Sequence, residues 1–171
     1  KYIFFASKSS NEQLLKMYKR HLFVIENNVL YKLISNGLWF WEKTEFYETT
    51  EIDFTIYKKT SPTLTFTSEE ESKGKRILKE IGIDSDKHWY ICIFCRDSSY
   101  LDTKFPKGEW SYHNFRNANI DTLILASKYI VSIGGYVIRV GSTVERPLTY
   151  YNDKIIDYSI NSQSDFMDIY L

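Results

Sequence analysis

Three histidines, two cysteines and no excess of either charge leave several function classes without the residues to build them. His21, His88 and His113 are widely separated and show no metal-ligand spacing. That argues against a site built on several histidines, and no metal is expected. Cys92 and Cys95 have C-x-x-C spacing but fall inside an expected strand. Side chains three apart in a strand point to opposite faces, so the pair reads as two small buried thiols. Neither a disulfide nor a zinc clip is expected, and a reducing compartment fits. Basic and acidic residues balance at 22 each, so no global field draws the chain to nucleic acid. There is no phosphate loop of the form G-x-x-x-x-G-K-S/T, no G-x-G-x-x-G fingerprint and no G-x-S-x-G elbow. No apolar run reaches about 18 residues, and no secretory signal is visible. The chain opens on Lys1 and closes on Leu171 inside an expected helix. It reads as an internal piece of a longer protein, inactive alone, with Phe166, Met167, Ile169, Tyr170 and Leu171 as an exposed apolar end.

What is present is a strand–loop–helix–strand stretch from Trp89 to Gly141. Trp89 to Cys95 is apolar apart from its tyrosine, as in a parallel strand buried on both faces. A long loop carries Tyr100, Asp102, Trp110, Tyr112, His113 and Arg116. A helix is expected from Asn119 and Ile120, with Leu123, Ile124, Ser127, Ile130 and Val131 at helical spacing and Gly134 and Gly135 as its stop. Tyr136 to Gly141 is the second strand. Such a unit is almost always a right-handed crossover between parallel strands. Both strand carboxyl ends and the helix amino end then share one edge, where ligands bind in open α/β sheets. Arg96, Arg116 and Arg139 all fall near that edge. Three guanidiniums beside a helix amino end point to an anion, with phosphate or diphosphate first.

The rest of the chain repeats the α/β alternation. Expected strands are Lys1 to Ser7 and His21 to Glu26; expected helices are Glu12 to Arg20, capped by Ser9, Ser10 or Asn11, and Val29 to Trp41. Glu42 to Thr67 lacks a helical period, with Phe54, Ile56, Thr65 and Phe66 in short extended pieces. Ser68 to Glu71 forms a capping box ahead of a helix that Gly82 ends. Lys154 to Tyr158 is a further strand, and Ser164 caps a last helix. The expected division is residues 1–57 in one Rossmann-like unit, 58–67 as linker and 68–171 in a second, both incomplete. The 14 Tyr, 11 Phe and 4 Trp fit packed cores and sugar-stacking surfaces equally.

The run FCRDSSYLD at Phe94 to Asp102 is followed by YHNFRNANID at Tyr112 to Asp121 and GGYVIRVGS at Gly134 to Ser142. RPL at Arg146 to Leu148, KIIDYS at Lys154 to Ser159 and SDFMDIYL at Ser164 to Leu171 complete the series. In this order and spacing the series resembles a family of bacterial glycosyltransferases associated with surface polysaccharide and lipopolysaccharide synthesis. The likeness covers Leu64 to Leu171 well and the first 60 or so residues loosely. It implies a GT-B-like architecture of two Rossmann-like domains, the second holding the nucleotide-sugar donor and the first the glycan or glycolipid acceptor. It implies no metal cofactor, because basic side chains and a helix end stabilise the departing diphosphate. It also implies a cytoplasmic location, with peripheral association at the inner face of the membrane as an option.

The candidate donor and phosphate residues are Arg96, Tyr100, Arg116, Arg139 and Gly141. The candidate catalytic residues are Asp97, as general base for the acceptor hydroxyl, and His113, as an acid–base group. Each has a plainer reading. Arg96 and Asp97 can pair as charges at a strand end. Arg139, among apolar neighbours, needs either a ligand phosphate or an internal acid such as Asp157. Tyr100, Trp110, Tyr112 and His113 can be loop packing. A non-catalytic nucleotide- or sugar-binding module is the alternative function, and a GT-B-like sugar-nucleotide epimerase the next.

Overall fold

Residues 3–6, 9–37 and 62–171 are described by the structure, a computed structural model. The fold is α/β, and the chain divides into two units, Lys1–Thr67 and Ser68–Leu171.

In the first unit, asparagines set both helix starts. Asn11 has an extended backbone, and its Oδ1 accepts the Leu14 N–H at 2.8 Å, which starts α1 (Glu12–Lys19). Asn27 Oδ1 accepts the N–H groups of Val29 and Leu30 at 2.9 and 3.0 Å at the start of α2 (Asn28–Gly37). Strands β1 (Ile3–Ala6) and β2 (Phe23–Glu26) pair in parallel, Ile3 opposite Phe23 and Ala6 opposite Glu26. The end of the helix expected to reach Trp41, with Phe54 and Ile56, lies outside the described residues.

In the second unit, α3 (Ser68–Glu80) leads into three parallel strands, β3 (Tyr90–Ile93), β4 (Tyr136–Arg139) and β5 (Ile155–Asp157), ordered β3-β4-β5. Gly82 ends α3 with φ at 96°. The Gly82 N–H donates to Lys79 O and the Ile83 N–H to Leu78 O, with Leu78 and Ile83 both buried. That double bond is the glycine-dependent helix stop, sealed by an apolar contact. Gly134, with φ at 92°, stops the helix before β4 in the same way through Val131 O and Ile130 O.

Between β3 and β4 the expected single loop carries two pieces of helix: α4 (Ser99–Lys104) and a 3-10 segment, Ser111–Arg116. The helix expected from Asn119 opens as 3-10 over Ile120–Leu123 and continues as α5 (Ile124–Ser132). Ile93, Ile120, Val137 and Ile155 form the core under α5, with Ile91, Leu123, Ile130, Val131 and Leu148 packed around them. Burying each such side chain contributes about 1.5–3 kcal/mol.

Two expectations are corrected. Strand β3 is not buried on both faces: Tyr90 and Ile91 are half-buried, Cys92 is exposed and only Ile93 is buried. The Cys92 Sγ lies 3.7 Å from Leu171 O, while Cys95 lies beyond the strand and half-buried. Both thiols are free. The apolar end is not an exposed patch either: Phe166 and Met167 are buried. It follows α6 (Tyr158–Asn161) and contains α7 (Met167–Tyr170). The Phe166 and Tyr170 rings stack at 5.6 Å, and Tyr170 lies over Gly74 of α3, where a Cβ would collide with its ring. Tyr158 is fully buried; its hydroxyl accepts the Ser164 N–H at 2.7 Å and lies 3.0 Å from Asp168 Oδ1. Burial pushes its pKa up to about 12. Among the described residues, no helix is long and apolar enough to cross a membrane.

Candidate functional site

The carboxyl edge of the second sheet holds two neighbouring cavities of about 350 and 360 Å³, which share Cys95 and Asp97 in their walls. The sheet register explains the inner one. Arg139 sits opposite Ile93 on one side and Asp157 on the other, so the guanidinium meets a carboxylate within its own row. Arg139 is 2% exposed. Its Nη1 donates to Arg146 O at 2.6 Å and lies 3.2 Å from Asp157 Oδ2, which also accepts the Leu148 N–H at 2.8 Å. Of the two partners the sequence offers Arg139, the structure holds it against the internal acid.

The loop after β4 is tied down at three further points. Arg146 Nη2 reaches Asp121 Oδ2 at 2.8 Å and donates to Asn119 Oδ1 at 2.6 Å. Burial opposes ionisation of Asp121, but hydrogen bonding from Thr149 and the Arg146 charge hold its carboxyl below the usual range. Asp97 supplies the third tie: Oδ1 accepts the Ser99 N–H and Oδ2 the Glu145 N–H, both at 3.0 Å. The candidate general base thus engages both oxygens with backbone donors, one at the start of α4 and one in the loop after β4.

The outer cavity is cationic. Arg96, Asp97, Tyr100, His113 and Arg116 converge on its wall, with Ser142 and Thr143 arriving from the loop after β4. Arg96 is positioned by its own backbone, whose carbonyl accepts the Ala118 N–H at 2.9 Å. Its Nη1 donates to His113 O at 3.3 Å. Among the described residues, neither Arg96 nor Arg116 has a carboxylate within ion-pair distance. His113 packs 4.0 Å from the Tyr112 ring and lies nearly parallel to Trp110 at 6.3 Å. Trp110 is pinned by its Nε1 donating to Phe105 O at 2.9 Å. Desolvation first, then the Arg96 and Arg116 charges, lower the His113 pKa and so favour its neutral imidazole.

Five of the seven sequence-derived candidates therefore share one cavity, and Arg139 lines the adjoining one. Gly141 lies outside both walls. Its φ is 154°, and a Cβ there would meet Val144 Cγ1 at 3.0 Å, so it shapes the start of the loop after β4. Sequence reasoning did not place Asn117, Asn119, Ser142, Thr143, Glu145 or Arg146 in the site. The available signal was the Arg146-Pro147-Leu148 motif, a charge beside a turn residue at the same sheet edge. Among the described residues, no group of three or more His, Cys, Asp and Glu side chains could hold a metal ion. The outer cavity can bind an anion through two guanidinium forks and, beside it, accept a proton on a neutral imidazole. No protein-family profile matches the chain, and no curated protein or solved structure is similar to it.

Proposed function

We propose that the chain is the donor-binding part of a glycosyltransferase that moves a sugar from a nucleotide-sugar to a cell-surface glycan or glycolipid acceptor. The carrying observation is the pair of guanidiniums, Arg96 and Arg116, that face one cavity without a carboxylate partner among the described residues. A cation left unpaired beside a cavity at a sheet's carboxyl edge suits an anionic ligand. The sequence resemblance supplies the reaction class and the GT-B-like pair of Rossmann-like domains, and three parallel strands in chain order are compatible with part of one of them.

In this reading the acceptor hydroxyl oxygen attacks the anomeric carbon and its proton passes to His113. The bond from that carbon to the diphosphate oxygen breaks, and the electron pair leaves with the diphosphate. Arg96 and Arg116 stabilise the charge that develops there, the type of preorganised electrostatic help that is often the largest catalytic contribution. Tyr100 borders the same cavity and offers a ring to the sugar or base. Asp97 positions the two loops. The reading carries no metal requirement, so added chelator leaves affinity unchanged.

The test is titration of the protein with nucleoside diphosphates and sugar nucleotides. A hydrogen bond to a charged group contributes about 1.5–3 kcal/mol, so Arg96→Ala or Arg116→Ala weakens binding by about 10- to 100-fold. Lysine rescues part of the loss, keeping the charge and losing the fork. Equal affinities in folded variants would sink the proposal. The engagement of both Asp97 oxygens favours one second reading, a nucleotide-binding module without turnover. Binding retained with no sugar transfer and no donor hydrolysis, in wild type and His113→Ala alike, would select it.

A further inference from the structure

We propose that a third cavity, beside β5 and apart from the cationic edge, binds a neutral carbohydrate. This does not rest on the reaction proposed above. The groove has a volume of about 360 Å³, within the range of small-ligand sites. It runs along the outer side of β5, which ends the described sheet.

An extended peptide suits it poorly, because part of the strand edge is already taken. The Ile155 N–H donates to Asn152 O at 2.9 Å, and the Asp157 carbonyl accepts from Asn161 Nδ2 at 3.4 Å. An added strand would find these groups already used. An anion does not suit it either. The wall holds the carboxylates of Asp153 and Asp157 and no cationic side chain. Asp157 is committed to Arg139 and the Leu148 N–H, which leaves Asp153 as the charge facing a ligand.

What the groove offers is an aromatic face and a polar rim. Tyr151 is 86% exposed, and its hydroxyl donates to Asp153 Oδ1 at 3.0 Å, which favours one orientation of the ring. A ring already biased toward one orientation loses less entropy when a ligand stacks on it. Ile156 and Ile160 supply apolar surface nearby. Asn152 Oδ1 accepts the Lys154 N–H, leaving its amide N–H groups to donate. Asn161 uses Nδ2 on the backbone, leaving Oδ1 to accept. One stacking face, one donor amide, one acceptor amide and one carboxylate match a sugar ring, which has an apolar C–H face and hydroxyls that both donate and accept.

The experiment is saturation-transfer NMR and titration on the full chain with maltohexaose and cellohexaose, and oligogalacturonate as the anionic comparator. Transfer to the ring protons of a neutral oligosaccharide is expected, with none to oligogalacturonate. Tyr151→Ala weakens that binding about tenfold, and Arg96→Ala leaves it unchanged. Tyr151 lies on the surface, so its replacement does not disturb the core. Asn161→Ala supplies a second, independent loss. Failure of both neutral oligosaccharides to bind would overturn the proposal, as would binding that survives Tyr151→Ala and Asn161→Ala unchanged. Preferential binding of oligogalacturonate would overturn it too. Loss in Arg96→Ala alone would move the sugar to the cationic cavity and end the proposal for β5.

Discussion

Arg139 and Arg96 both belong to the carboxyl edge of one sheet, and their surroundings are opposite. Arg139 is the last residue of β4, still within the ladder, so the register delivers Asp157 to it across the neighbouring strand. Arg96 is three residues past the end of β3, where no strand partner is imposed. It turns to a backbone carbonyl and an open cavity. The same residue type thus becomes an internal ion pair or a cavity-facing cation according to whether its backbone has left the sheet.

The largest test of that contrast is stability. Arg139→Ala leaves Asp157 buried without its partner, and removing one side of a buried pair costs about 3–5 kcal/mol. Chemical denaturation reads it; an unchanged midpoint would break the comparison. Arg96→Ala does the reverse. Its folding stability stays within about 0.5 kcal/mol of wild type, while diphosphate affinity falls by the 10- to 100-fold expected for a lost charged hydrogen bond. Should Arg96→Ala unfold the protein as readily as Arg139→Ala, the two guanidiniums are not different in kind.

His113 sharpens the contrast through pH. Its native pKa lies below the ordinary 6.5, in part because Arg96 and Arg116 disfavour the imidazolium. Between the native and unfolded pKa values the unfolded chain binds more protons, so His113 makes stability fall as pH drops through that window. Arg116→Ala removes one opposing charge, so the His113 titration followed by NMR moves upward. A downward or absent shift would mean that the guanidinium does not face the ring. The smallest effect belongs to Arg146, whose pairing with Asp121 is partly exposed. Arg146→Ala costs about 1 kcal/mol or less, measured by the same denaturation. A loss as large as that of Arg139→Ala would show that exposure does not grade these ion pairs.

The sequence displayed local causes well and distant ones poorly. Asn11, Gly82 and Gly134 announced helix ends, because a cap needs only its own few residues. Alternation of apolar runs placed the strands of both units. The helical pieces at 99–104 and 111–116 carry no apolar period, since none of their residues is buried, and so read as loop. Cys92 looked buried because an apolar run does not say which faces of its strand other elements cover. The shared edge of Arg96, Arg116 and Arg139 was readable, whereas the meeting of Tyr100 and His113 with Arg96 and Arg116 around one cavity was not. The pairing of Arg146 with Asn119 and Asp121 was not, because it spans more than 20 residues and depends on how the loop after β4 folds back.

Asp97 changes what a familiar diagnostic substitution means. Replacing an acid by its amide is the usual way to remove a general base while keeping its shape. Here each carboxylate oxygen faces a backbone N–H, one from Ser99 and one from Glu145. An asparagine can accept only one of those bonds; its amide nitrogen would confront the other N–H, donor against donor. Asp97→Asn would therefore give up one of these bonds, at the start of α4 or to the loop after β4, and a loss of function in that variant would not by itself identify a lost proton transfer.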